Sequence, residues 1–218
     1  MTNSTRADAI AAPAPSIADP APLGLAAFAA TTLMLSAVNA HWIAQSSAPA
    51  VLAMALCYGG IIQVLAGMWE FRRGNTFGAV AFSSFGGFWL SFWAFNQFFA
   101  AGIPAGEVGD AVGMYLLVWA IFTTYMLVAS LRVNVSVALV FLTLAVTYWL
   151  LMAGNYANST NLIKIGGWVG ALTAVLAFYA SFAGVVNDSW KRTLLPVGPL
   201  APAPAERSQS AERNAQAS

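Results

Sequence analysis

Charge is what this sequence has least of. Only 8% of its 218 residues are Asp, Glu, Lys or Arg, nine basic and eight acidic, where soluble domains carry about 25%. Seventeen charged side chains cannot cover a water-facing surface of this size. The bilayer is therefore the expected solvent. A net charge of +1 provides no basic patch or stripe for phosphates, so nucleic-acid binding is excluded as a reading. The one cysteine, Cys57, stands in an apolar run and rules out an intrachain disulfide or a CxxC metal or redox site. The one histidine, His41, falls near the end of an apolar stretch, where an interfacial position suits it better than proton transfer. There is no HExxH, no Ser/His/Asp set able to meet inside a membrane, and no carboxylate pair placed for acid/base work. No enzyme, metal or cofactor is expected.

What is present is apolar length. A membrane helix needs about 20 mainly apolar residues, and five intervals lack any charged residue: Pro20 to Trp69, Gly74 to Gly106, Ala111 to Leu131, Val133 to Ile163, and Ile165 to Asn187. The first is long enough for two helices, and Gln45 to Pro49 divides it with a polar turn and a proline. The fold class is thus all-α and integral to the membrane, with six spans near 23–43, 50–70, 76–100, 108–131, 134–153 and 162–186. Residues 20–190 form the transmembrane domain, and the Ala/Pro-rich segments 1–19 and 191–218 read as disordered tails. The first segment lacks the basic start and apolar core of a signal peptide. Basic residues set the orientation. Arg6, Arg72, Arg73, Arg132, Lys191, Arg192, Arg207 and Arg213 share one side and Lys164 alone takes the other, so both termini are expected to be cytoplasmic.

The chain also repeats itself. Gly74-Asn75 precedes Gly86-Gly87-Phe88-Trp89 at the spacing with which Gly154-Asn155 precedes Gly166-Gly167-Trp168, an offset of 80 residues. Thr31-Thr32-Leu33-Met34-Leu35 recurs as Thr123-Thr124-Tyr125-Met126-Leu127. Each half holds three spans, an odd number, so the second half enters the membrane inverted. Inverted repeats of this kind are a transporter architecture, with the path at the interface of the halves.

No charged residue falls deep in a span, so a buried carboxylate relay is not expected. Neutral hydroxyls and amides remain, including Thr31, Asn39, Tyr58, Gln63 and Asn155, and together they suit a narrow uncharged path. The third span is aromatic all round. Most of its rings are expected to face lipid or a neighbouring subunit, with Phe85, before the glycine pair, near a constriction. Glu70, Arg72 and Arg73 read as anchors of a cytoplasmic loop.

The ordered motifs Pro20-Ala21-Pro22-Leu23-Gly24-Leu25, Tyr58-Gly59-Gly60-Ile61 with Gln63, Ala66-Gly67, Glu70, Gly74-Asn75-Thr76-Phe77-Gly78, Phe85-Gly86, Phe88-Trp89-Leu90, Gly154-Asn155 and Gly167-Trp168 span all six helices. In this the chain resembles the acetate uptake transporter family of bacteria and fungi. Asp19 stands where that family usually has Asn, and either residue can cap a helix. The resemblance implies a homo-hexamer in the inner (cytoplasmic) membrane with a path through each protomer for acetate and related small carboxylates such as succinate, possible proton linkage, and no cofactor. It also implies an apolar gate that corresponds by position to Phe28, Phe85 and Leu144, where Phe85 replaces a frequent tyrosine. Thr31, Asn39, Gln63, Asn155 and Tyr58 match path positions. The competing reading is a channel for another small polar solute, such as urea or ammonia.

Overall fold

A computed structural model describes residues 17–200. Six helices are long and apolar enough to cross a membrane: α1 Ala21–Asn39, α2 Gln45–Arg73, α3 Thr76–Gly102, α4 Val108–Ser130, α5 Val135–Tyr156 and α6 Thr160–Ser189. Among the described residues there is no strand, only an isolated bridge between Asn134 and Pro199. The six expected spans are all found. The division at Gln45 to Pro49 is a short 3₁₀ turn over Gln45–Ser47 with Pro49 in the first turn of the following helix, where a proline costs no hydrogen bond. α1 ends earlier than expected. His41 lies past it, exposed, at a φ of 60°.

Local chemistry fixes the helix ends. Gly74 closes α2 in the left-handed conformation, at a φ of 75° that glycine takes without strain. Asn75 at once caps α3, its side chain accepting from the Gly78 amide at 3.2 Å. Asn134 caps α5 through the Val137 amide at 2.8 Å, and Ser159 caps α6 through that of Leu162. Asp19 accepts from the Ala21 amide at 3.0 Å, so the capping role expected of it is performed from the residue before Pro20.

Packing follows the inverted order. α1 contacts α2 and α2 contacts α3, and the pattern returns as α4 on α5 and α5 on α6. Small residues permit the close approaches. A side chain at Gly86 would meet Val64 of α2 at 2.5 Å, and one at Gly59 would meet Thr31 of α1 at 2.6 Å. The neighbouring Gly87 faces open space. The halves differ at one pairing: α1 packs backbone to backbone along α6, whereas α3 and α4 are held apart by aromatic rings.

Two expectations change here. The rings of α3 were expected mostly at the outer surface, yet Phe82, Phe85, Phe88 and Trp89 are buried in the core, and only Phe98 and Phe99 at its end are strongly exposed. A helix covered with aromatics is accommodated because the rings of α3, α4 and α5 pack on each other, edge to face or tilted around Phe85, which lies 5.3 Å from Phe122 and 6.0 Å from Phe141, centroid to centroid. The tail expected from residue 191 is also shorter. Asn187 accepts from the amides of Leu194 and Leu195 at 2.8 and 3.0 Å, and Tyr179 donates to the Pro196 carbonyl at 2.7 Å. The carbonyls of Gly198 and Val197 then receive the amides of Val135 and Ser136, two donors that the start of α5 leaves without a partner in its own helix. The rest of both expected tails, residues 1–16 and 201–218, lies outside the described residues.

Candidate functional site: two cavities meeting at one neck

Helical phase builds the site. On α1 the residues Leu25, Phe28, Thr32, Leu35, Ser36 and Asn39 follow at three- and four-residue steps and therefore share one face. α3 presents Gly78, Phe82, Phe85, Phe88, Trp89 and Phe92 in the same way, and α5 presents Asn134, Val137, Phe141, Leu144, Tyr148, Leu151 and Asn155. These three faces line two cavities. The larger, about 810 Å³, opens where α1 begins and α2 ends, among Asp19, Arg73, Asn75, Asn134 and Asn187. The smaller, about 290 Å³, lies toward the other end, among Asn39, Gln45, Asn96 and Asn155.

Phe28 and Leu144 line both cavities, and Phe85 lines the larger. All three are at most 4% exposed. Phe28 and Phe85 stand 5.7 Å apart, centroid to centroid. The space between the two cavities is thus occupied by aromatic and aliphatic side chains from α1, α3 and α5, with no charge among them.

The other residues singled out in the sequence separate into two groups. Gln63 lines the larger cavity, and Asn39 and Asn155 line the smaller. Gln63 follows a π-helical segment, Cys57–Ile62, within α2, a feature that widens the helix and shifts its facing side chains. It is 1% exposed and neither end of its amide has a partner among the described residues. Asn155 is restrained by donating to the Leu151 carbonyl at 2.8 Å. Thr31 and Tyr58, by contrast, line neither cavity. Thr31 is fully buried, donates to the Ala27 carbonyl of its own helix at 3.0 Å, and packs on Gly59. It stands one residue, about 100°, round the helix from Thr32 and so falls at the edge of the face that carries Phe28 and Asn39, on the side packed against α2.

Glu70 departs most from the loop anchor that the sequence implied. It is fully buried and lines the larger cavity; Asn75 Nδ2 donates to its Oε2 at 2.9 Å, while Oε1 has no partner. The last turn of α2 is amphipathic, so Glu70 turns inward while Arg72 turns outward and Arg73 stands at the mouth of the cavity. Arg73 forms its ion pair with Asp19. Hydropathy places a carboxylate at a span end without saying which way it points, and this one points inward. Thr32, Tyr115 and Tyr148 on the smaller cavity belong to the neutral polar set of the spans without standing out in it, and Trp89 falls among the rings expected mostly outside, although the phase of Phe28, Thr32 and Asn39 marks the lining face of α1.

The sequence matches the profile of the GPR1/FUN34/yaaH family over residues 2–202. The chain belongs to that family. It is 37% identical over 182 residues to the succinate-acetate/proton symporter SatP of Escherichia coli strain K12, an alignment covering 84% of this chain and 96% of that protein. It is 40% identical over 183 residues to the ammonia transport outward protein 2 of Saccharomyces cerevisiae, covering 81% of this chain and 65% of that one. The structure of the bacterial acetate channel SatP superposes with a TM-score of 0.79 at 37% identity, covering 84% of this chain and all of that one. The family resemblance read from the motifs therefore holds along the six-helix domain.

Proposed function

We propose that this chain passes acetate and related small carboxylates, succinate among them, across a membrane through a path within each protomer. It is a channel or transporter rather than an enzyme. The observation that carries this reading is the pair of cavities at opposite ends of the bundle that share Phe28 and Leu144 as lining, in a family with relatives that are a symporter and a channel by name. On this reading Phe28, Phe85 and Leu144 form the gate, with Gln63 on one side of it and Asn39 and Asn155 on the other.

Carboxylic acids with a pKa of about 4 to 5 are almost wholly ionised at pH 7. A path without a fixed cation at its neck must hold the anion by uncharged donors and by the positive ends of helices. The amide and hydroxyl groups of the two cavities provide the donors, and the apolar neck strips water before the solute crosses. Both termini and the larger cavity are assigned to the cytoplasm, since Arg72, Arg73, Arg132, Lys191 and Arg192 share that end. Apolar stripes on α4 (Met114, Val118, Ile121, Tyr125 and Val128) and on α6 (Trp168, Leu172, Val175 and Phe182) are exposed, which suits lipid and the neighbours of a homo-hexamer in the inner membrane. Proton linkage is part of the proposal. Vesicles reconstituted with the full chain and loaded with a pH dye test both points: labelled acetate should enter faster than into empty vesicles, with proton uptake alongside. Equal rates would sink the reading.

The second reading is ammonia or urea movement, favoured by the name of the yeast relative and by the uncharged lining of the neck and the smaller cavity. Competition separates the two, because unlabelled urea or ammonium should leave labelled acetate uptake untouched if carboxylates are the substrate.

A further inference from the structure

The donors on the smaller cavity are unevenly committed. Asn155, Asn96 and Gln45 each give a side-chain N–H to a backbone carbonyl, of Leu151, Phe92 and Val38 respectively, at 2.8 Å. Thr147 donates to the Thr143 carbonyl at 2.8 Å and Tyr115 to that of Phe88 at 3.0 Å. Thr147 and Tyr115 thus have only an oxygen left to offer, while each amide keeps a second hydrogen beside its oxygen but is already anchored to its own stretch of backbone. Two residues of the same lining differ. The Trp89 indole N–H and the Thr32 hydroxyl are buried and have no partner among the described residues, in side chains only 2% and 6% exposed.

Buried donors are almost always paired, so two orphans on one cavity call for a reason. The Trp89 orphan cannot be relieved by a local rotation of the kind that satisfies hydroxyls, because an indole N–H has no backbone carbonyl of its own turn to swing to and is a donor only. Its partner must be an acceptor. Thr32 follows Phe28 by one helical turn on α1, and Trp89 follows Phe85 by one turn on α3. Both orphans thus sit one turn beyond a residue of the neck, on the smaller-cavity side.

We propose that Trp89 and Thr32 form a carboxylate-binding site at the neck of the smaller cavity, the indole N–H and the hydroxyl each donating to a carboxylate oxygen. The site rests on the reading of the chain as a carboxylate path and assigns the step at which the anion is held before the gate. Two uncharged donors suit a transient stop. They stabilise an anion without the trap that a buried lysine or arginine would set, and the indole N–H offers a cation no oxygen to bind.

Two measurements on the full-length chain test this. The indole ¹⁵N resonance that disappears in Trp89→Phe should move when sodium acetate is titrated into the detergent-solubilised wild type and stay fixed with sodium chloride. A resonance that acetate leaves in place overturns the site. In vesicles, Trp89→Phe and Thr32→Val should each raise the KM for labelled acetate about tenfold, as expected for losing a hydrogen bond to a charged group, with the maximal rate retained. Thr32→Ser keeps the hydroxyl and should stay near the wild-type KM, which a role in packing alone would not predict. A KM within threefold of wild type in both Trp89→Phe and Thr32→Val also overturns the site. Should wild-type vesicles take up no acetate while the resonance still moves, the transport reading fails and the binding site stands.

Discussion

On the proposed reading, Phe28, Phe85 and Leu144 decide what passes. Each lies midway along its own helix, each is buried, and they leave the two cavities without a wide opening between them. Shortening one should widen the neck. Phe85→Ala and Leu144→Ala are expected to raise uptake of succinate relative to acetate by about tenfold, the scale on which small changes in an apolar pocket act, as measured with labelled acids in vesicles. An unchanged ratio would argue against a gate at these positions. Glycines carry the opposite lesson. Gly86→Ala drives a methyl group into Val64 and should cost about 1–3 kcal/mol as overpacking, whereas Gly87→Ala meets nothing within 4 Å and should be neutral or gain up to about 1 kcal/mol from helix propensity. Thermal unfolding in one detergent would register the contrast.

At the scale of elements, the junction of α2 and α3 joins fold to site. Gly74 turns the chain, Asn75 caps α3 through Oδ1 and at the same time holds Glu70 through Nδ2. Asn75→Ala removes both, and the capping loss alone is worth about 1–2 kcal/mol. A lowered unfolding midpoint checks this, with Asn75→Asp expected to keep the cap and set a like charge beside Glu70. The sequence marked this turn by Gly74-Asn75 and also marked its counterpart, Gly154-Asn155, yet the two pairs do different work. Gly154-Asn155 belongs to the last turn of α5, and Ser159 caps the next helix instead. A repeated motif records common position more faithfully than common conformation, because helix ends shift by a few residues without altering the packing of the bundle.

For the whole molecule, the segment after α6 matters more than its composition implied. By itself it is too poor in apolar groups to fold, but the start of α5 has free amides and Asn187 has a free side chain, and together they give its backbone partners. Val197 also lines the larger cavity. Ending the chain after Arg192 should expose the Val135 and Ser136 amides. Hydrogen exchange followed by mass spectrometry should then speed up in the peptide that holds them and stay unchanged in α3. Exchange at the wild-type rate would mean that the segment does not cap α5.

The sequence by itself determined the solvent, the number of spans, the inverted order and the family, since each depends on composition or spacing along the chain. A charge in a bilayer is costly wherever the neighbours are, so charge-free intervals report spans without knowledge of packing. Facing is another matter. Whether Glu70 turns in or out, whether Thr31 or Thr32 shares the face of Phe28, and which rings of α3 stack inward are set by rotation about each helix axis. A step of one residue is about 100°, and when nearly every side of a helix is apolar the sequence pattern leaves that rotation unspecified. The contacts of α1, α3 and α5 with each other and with their neighbours fix it, and those contacts exist only in the folded bundle.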